Sequence, residues 1–193
     1  MNRRQALTRL AAALAVVTVA PMAAEAMGGQ LPELDQPAPD FDLSGMAPGA
    51  AGEVLATRLT LADRLGSWTV LYFYPRDFTS GCTLEARGFQ RDLEAFHALG
   101  AEVIGVSADS SESHSEFCGS EGLRYPLLSD GDGVVSRRYG SWIAPFSQRH
   151  TFLIDPEGRL RARWVDVRPA GHSREVLAVL SDFKGVARSE SAA

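Results

Sequence analysis

Apolar residues along the chain are concentrated in short continuous runs, and the segments between these runs are polar and helix-like. Runs rich in β-branched and aromatic residues, as expected for strands buried on both faces, occur at Thr69–Tyr74, Ala101–Ser107 and Thr151–Asp155. The other segments predict helices over Cys82–Ala98, Ser110–Glu121, Gly133–Tyr139 and Ser173–Phe183. Strands that alternate with helices in this way predict an α/β domain.

Shorter patterns complete this domain. Leu127–Ser129 is a short apolar run, and Arg159–Val167 alternates after a turn, which predicts a hairpin with the strand before it. A segment rich in Pro, Gly and Ala over residues 27–50 predicts extended chain with a short strand near Phe41–Leu43. Leu59–Leu65 predicts a short connection or helical turn. The hairpin makes the expected central sheet a mixed one.

The first 26 residues have the layout of a secretory signal peptide. Arg3 and Arg4 are followed by an uncharged run over residues 10–24 and by Ala24-Glu25-Ala26, which matches an A-x-A cleavage site. The uncharged run is shorter than the ~18–20 residues of a transmembrane helix. The paired arginines also resemble a twin-arginine export signal. An N-terminal amphipathic helix or a retained anchor is the alternative.

This signal defines the expected organisation of the chain. It is followed by a linker (27–32), one domain (33–187) and a flexible tail (188–193). Removing 26 of the 193 residues, which carry a net charge of +2, would change the net charge from −5 to −7. An acidic chain argues against nucleic acid as a partner and against stable membrane association after cleavage. We expect an exported, periplasmic protein.

The two cysteines, Cys82 and Cys118, are too few for a disulfide scaffold or a four-cysteine zinc site. Cys82 falls in the first turn of a helix that follows a buried strand, where the helix dipole favours a thiolate. Lowering a thiol pKa from ~8.5 to ~6 raises the thiolate fraction at pH 7 from about 3% to about 90%. Glu85 stands three residues later, so the C-x-x-C of dithiol exchange proteins is missing.

Pro75, Thr79 and Cys82 form the pattern Pro-x-x-x-Thr-x-x-Cys. This pattern resembles the peroxidatic motif of AhpC/TSA-like peroxiredoxins, and the wider Phe73–Glu85 segment is similar to their bacterioferritin-comigratory (Q-type) branch. The similarity continues through Thr151–Gly158. It implies a thioredoxin-like fold, with a central mixed β-sheet flanked by helices.

The resemblance also implies thiol-dependent reduction of hydrogen peroxide and organic hydroperoxides. Cys82 would attack the peroxide and become a sulfenic acid. Thr79 would place its hydroxyl against the thiolate and the peroxide, and Pro75 would shield the site from water. Arg149 stands where the family has an arginine beside the sulfur, whereas Arg76 is expected to be a loop surface residue.

The second cysteine defines the expected subtype. Many Q-type members carry a resolving cysteine five residues after the peroxidatic one, a position that is Arg87 here. Other members place it on the next helix, as Cys118 is placed, and this arrangement implies an intramolecular disulfide reduced by a thioredoxin-like donor. Such resolution needs no second subunit, so we expect a monomer. A permanent structural Cys82–Cys118 bridge, or resolution by an external thiol, remains open.

The main rival is a non-catalytic thioredoxin-like module in which Cys82 is unreactive. No cofactor is expected, and the four histidines lack metal-ligand spacing. Glu85 is expected either to hydrogen-bond within the site or to lie on the helix surface. Phe78, Trp142 and Phe146 are expected to form an apolar rim around a peroxide pocket.

Overall fold

A computed structural model describes residues 25–26 and 28–191, and its framework is a seven-stranded mixed sheet. In chain order, the strands are β1 (Asp42–Pro48), β2 (Val54–Thr60), β3 (Trp68–Phe73), β4 (Ala101–Ser107), β5 (Leu127–Ser129), β6 (Thr151–Ile154) and β7 (Leu160–Trp164). Across the sheet the order is β7-β6-β3-β4-β5-β1-β2. The pairs β3–β4 and β4–β5 are parallel, and the remaining pairs are antiparallel.

The helices lie on both faces of this sheet. They are α1 (Ser80–Ala98), α2 (Ser111–Glu121), α3 (Val134–Arg138) and α4 (His172–Ser191), and a 3-10 turn covers Ala62–Arg64. Side chains of α1, α2 and α4 join one apolar cluster, whereas α3 and the segment before β1 contribute to a second cluster. This confirms the predicted α/β class with a mixed sheet and flanking helices.

Strand β3 explains why the predicted buried run is rich in β-branched and aromatic residues. Its side chains alternate between the two faces of the sheet. Val70 and Tyr72 lie in the cluster with α1, whereas Leu71 and Phe73 lie in the opposite cluster. Both faces are covered, so every side chain of this strand is buried, including that of the one polar residue, Thr69.

Besides the short pair formed by Glu25–Ala26 and Gly29–Gln30, two strand pairs were not predicted from the sequence. The β1–β2 hairpin occupies a region where we predicted only a short strand near Phe41–Leu43, because Gly, Pro and Ala obscure its alternation and β2 is a partly exposed edge. Trp142–Ile143 also pairs with Phe146–Ser147 around a cis peptide bond before Pro145.

At the two ends of the chain, the structure describes Glu25–Ala26 and the C-terminal helix up to Ser191. Residues 1–24, most of the predicted export signal, lie outside the described residues, while Glu25–Ala26 pairs with Gly29–Gln30. Helix α4 starts one residue before the predicted Ser173 and continues to Ser191, so it extends into the predicted tail. Within the described part of the chain, no helix combines the length and apolar character needed to cross a bilayer.

Candidate active site

Cys82 lies in the first turn of α1, as predicted, although the helix begins two residues earlier, at Ser80. Thr79 is the N-cap residue, with extended backbone, and its carbonyl accepts the Thr83 amide at 2.8 Å. Only 1% of Cys82 is exposed to solvent. The sulfur therefore sits at the positive end of the helix dipole, largely shielded from water.

The guanidinium of Arg149 contacts the sulfur of Cys82 directly. Its Nη2 donates to Cys82 Sγ at 3.2 Å. The contact follows from sheet topology: β6 runs antiparallel to β3, so the residues just before β6 lie beside the end of β3, where α1 begins. The Phe73 amide donating to the His150 carbonyl at 2.8 Å fixes this register. A permanent positive charge is thus held against the thiol.

Glu85 fixes the other end of the guanidinium. It is one turn after Cys82 on α1, is 1% exposed, and accepts a hydrogen bond from Arg149 Nη1. Burial raises the pKa of Glu85 to about 7, although the charge of Arg149 and its hydrogen bond act in the opposite direction. Burial alone would lower the pKa of Arg149, but Glu85 and Cys82 outweigh it and raise that pKa. Of the two alternatives for Glu85, the structure therefore shows the one within the site.

Gly81 provides the space for this arrangement. A Cβ atom at this position would lie 3.3 Å from Arg149 Nη2 and 3.7 Å from Pro169 Cγ. Such a contact is tight enough to displace the guanidinium by a few tenths of an ångström. The small residue before Cys82 is therefore part of the packing that brings Arg149 to the sulfur.

The other motif residues shape the loop between β3 and α1. Pro75 is half-buried at the start of this loop. The Thr79 hydroxyl donates to the Arg76 carbonyl at 3.1 Å, so its oxygen retains lone pairs that can accept a further hydrogen bond. Between them, Phe78 has a left-handed backbone with φ of 60°, which is unusual for a bulky residue. The surrounding contacts must hold this strained conformation in place.

Cys118 is buried on α2, in the same apolar cluster as Cys82, and both cysteines are free thiols. Burial, with a smaller effect from the nearby charge of Asp77, raises the pKa of Cys118 to about 12. Beside it is a cavity of about 530 Å³, lined partly by the turn between β1 and β2. Cys118 therefore lies just below the surface but is protonated in this conformation.

The three aromatic residues expected to form a rim around the peroxide pocket have different neighbours in the structure. Phe78 is 53% exposed and packs edge-on against Phe117 of α2, with ring centroids 5.1 Å apart. Phe146 is exposed next to Arg76, whose guanidinium lies 5.9 Å from its ring, and Arg76 is a surface residue as expected. Trp142 packs instead against Arg137 and Gly133, at the start of α3.

Two residues of the site were missed from the sequence. Asp77 and His114 are both buried, and His114 Nδ1 lies 2.9 Å from Asp77 Oδ2. Metal-ligand spacing, the criterion applied to the four histidines, does not indicate this contact. Its spacing of three and four residues from Phe117 and Cys118 places all three on one buried helix face, and this periodicity was the available signal.

Comparisons with known proteins point to one family. The model of the AhpC/TSA family matches residues 34–163. Peroxiredoxin Bcp of Xanthomonas campestris is 40% identical over 156 residues, covering 76% of this chain and 93% of that protein. A mitochondrial thioredoxin-dependent peroxide reductase of Drosophila melanogaster is 38% identical and covers 79% of this chain and 68% of that protein.

A solved structure of the X. campestris bacterioferritin comigratory protein is also similar. It has a TM-score of 0.66 and 35% identity, with coverage of 74% of this chain and 91% of that one. These relatives support thiol peroxidase activity over the alternative of a non-catalytic module. The chain therefore belongs to the AhpC/TSA family and is a peroxiredoxin of the Bcp (Q-type) branch, a thiol peroxidase with a thioredoxin-like fold.

Proposed function

We propose that Cys82 is the thiol that reduces the peroxide. The observation that carries this proposal is the 3.2 Å contact from Arg149 Nη2 to Cys82 Sγ at the start of α1. The thiolate would attack one oxygen of the O–O bond, and the other oxygen would leave with a proton as water or an alcohol. The sulfur is oxidised to a sulfenic acid and the peroxide is reduced by two electrons.

Arg149 and the loop would stabilise the charge that develops on the leaving oxygen. A guanidinium can donate to the sulfur and to a peroxide oxygen together, because its donors form a planar fork. Thr79 would accept from, or donate to, the peroxide, and Pro75 would limit access of water. The similar X. campestris structure was described in connection with alkyl peroxide reduction, which supports organic hydroperoxides as substrates beside hydrogen peroxide.

Cys118 is proposed as the resolving residue. Its thiolate would attack the sulfenic sulfur of Cys82, forming an intramolecular disulfide and releasing the sulfenic oxygen as water. A thioredoxin-like donor would then supply two electrons and two protons to restore both thiols. The similarity to a thioredoxin-dependent peroxide reductase supports this class of donor. The layout of residues 1–26 supports action outside the cytoplasm, and resolution within one chain is compatible with a monomer.

The test is trapping of the intermediate after one equivalent of peroxide. In the wild type we expect one disulfide and no lasting sulfenic acid. In Cys118→Ser we expect one sulfenic acid on Cys82, detected by mass spectrometry as the adduct of a sulfenic-acid trap. Thioredoxin-dependent turnover should then be lost, although one equivalent of peroxide is still consumed.

Two outcomes would count against the proposal in different ways. An intact Cys82 thiol after peroxide treatment would exclude its role as the reacting group. Unchanged thioredoxin-dependent turnover in Cys118→Ser would leave Cys82 in place and exclude Cys118 as the resolving residue. Cys82→Ser is the matched control and should show neither adduct nor disulfide.

A further inference from the structure

The carboxylate of Asp77 connects the loop of Cys82 to α2, the helix that carries Cys118. Asp77 is only 4% exposed. Its Oδ2 accepts from Ser113 Oγ at 2.7 Å and faces His114 Nδ1 at 2.9 Å, while its Oδ1 accepts from the Tyr74 hydroxyl at 2.8 Å. We call Asp77, Ser113 and His114 the Asp77 anchor.

Both ring nitrogens of His114 face acceptors. Nδ1 faces the Asp77 carboxylate, and Nε2 lies 3.3 Å from the Leu128 carbonyl. The imidazole therefore lies between the carboxylate of the Cys82 loop and a carbonyl of β5. The Asp77 amide also donates to Asp109 Oδ2 at 2.8 Å, just before α2. The loop and the first turns of α2 are therefore joined through both backbone and side chain.

The rest of α2 is held mainly by apolar packing. The anchor residues Ser113 and His114 lie in its N-terminal half, whereas Cys118 comes one turn later. Beyond the anchor, Phe117 and Cys118 pack in the apolar cluster with α1, Phe117 also contacts the exposed Phe78, and Glu121 pairs with the exposed Arg87. Surface ion pairs contribute little to stability, and Ser and Gly are poor helix formers. Unwinding that frees Cys118 breaks the helical hydrogen bond from its amide to the carbonyl of His114, so the anchor on His114 opposes that opening.

Peroxide attack by Cys82 and disulfide formation by Cys118 require opposite states of the Asp77 anchor. Attack on peroxide needs a fixed loop, because Thr79, Cys82 and Arg149 must keep their relative positions. Formation of the disulfide needs Cys118 to leave its buried position. A contact that ties the loop to α2 therefore favours the first step and opposes the second.

We propose that Asp77 and His114 are positioning residues that hold the Cys82 loop against α2 during peroxide attack and thereby limit the rate at which Cys118 resolves it. This inference rests on the proposed resolving role of Cys118. It assigns a function to a buried pair of a carboxylate and an imidazole, neither of which contacts the reacting sulfur. The oxidation chemistry is that of the proposed function, with no further reactant.

The test measures the two steps separately in Asp77→Asn. Rapid quenching after one equivalent of peroxide, followed by alkylation and mass spectrometry, gives the rates of sulfenic acid and disulfide formation. We expect the first rate to fall and the second to rise, each by about tenfold, as expected when one charged hydrogen-bonded partner is removed. Ser113→Ala removes a single bond of the anchor and should shift both rates in the same directions by less.

Asp130→Asn is the matched control. Asp130 is also a buried carboxylate with three hydrogen bonds, from Val135 N, Ser136 N and Ser136 Oγ, but these bonds lie at the start of α3. A merely structural effect would change both rates in parallel in Asp77→Asn and Asp130→Asn alike, and that result would overturn the inference. If the wild type forms no disulfide, the proposed function fails instead, so the two failures are distinguishable.

Discussion

Replacing Arg149 with methionine should lower the second-order rate of Cys82 oxidation by about 10²–10³-fold, the usual effect of removing one preorganised donor from a site where charge develops. Methionine has similar length but no positive charge and no N–H groups. The sulfur would lose its 3.2 Å contact with Nη2, and the leaving peroxide oxygen would lose a donor. Stopped-flow measurement of sulfenic acid formation at several peroxide concentrations gives this rate directly.

The substitution also affects Glu85, so the experiment needs a second variant. Without Arg149, the carboxylate of Glu85 is buried without its cation, which typically costs about 3–5 kcal/mol of folding free energy. Its pKa, already raised to about 7 by burial, would rise further when the opposing charge is removed. The double variant Glu85→Gln with Arg149→Met should recover stability but not rate. Recovery of rate would show that Arg149 acts through folding alone.

Arg76→Met is the matched control for charge. Arg76 stands in the same loop, is exposed, and lies over Phe146 rather than against the sulfur. We expect its rate of Cys82 oxidation to stay within about twofold of the wild type, because exposed charges are strongly screened. Equal losses in Arg76→Met and Arg149→Met would mean that the general positive field matters, rather than the contact with Cys82.

Most of the sheet and helices was predictable because burial on both faces leaves a strong pattern. β3 and β4 are mostly apolar, and α1 shows helical spacing up to its C-terminal end at Ala98. The β1–β2 hairpin was not predictable in the same way. It is at an edge of the sheet, so partner strands constrain fewer of its side chains, and its Gly and Pro residues resemble those of a loop.

The site was predictable only as far as its residues belong to a local motif or to a strand end. Cys82, Thr79 and Pro75 are close in sequence, and the antiparallel pairing of β6 with β3 explains why Arg149 joins them. The contact between Asp77 and His114 joins residues 37 positions apart in the sequence, and it depends on how α2 packs beside the loop. No short spacing rule encodes that contact, so helical periodicity alone could identify His114 as buried but not name its partner.

The rate of disulfide formation should rise about tenfold per pH unit below about pH 8.5 and level off above it, because the thiolate is the nucleophile. The expected midpoint is the pKa of the Cys118 thiol in water, because the buried thiol has a much higher pKa. In its buried position, Cys118 has a pKa raised to about 12 by burial, so it is almost entirely protonated at neutral pH. Once α2 unwinds and Cys118 reaches water, its pKa returns to the ordinary ~8.5 of a free thiol.

The pH profile therefore distinguishes two routes to the disulfide. If Cys118 attacks only after leaving α2, the first-order rate after one equivalent of peroxide should increase about 50-fold between pH 6.5 and 8.5 and only about twofold more above pH 8.5. If it attacked from its buried position, the rise would continue towards the pKa of about 12. The decay of the Cys82 sulfenic acid in Cys118→Ser, measured over the same range, is the control and should lack this midpoint. A rate that is independent of pH below 8.5 would contradict the prediction, because it would mean that the opening of α2, and not attack by the Cys118 thiolate, limits disulfide formation.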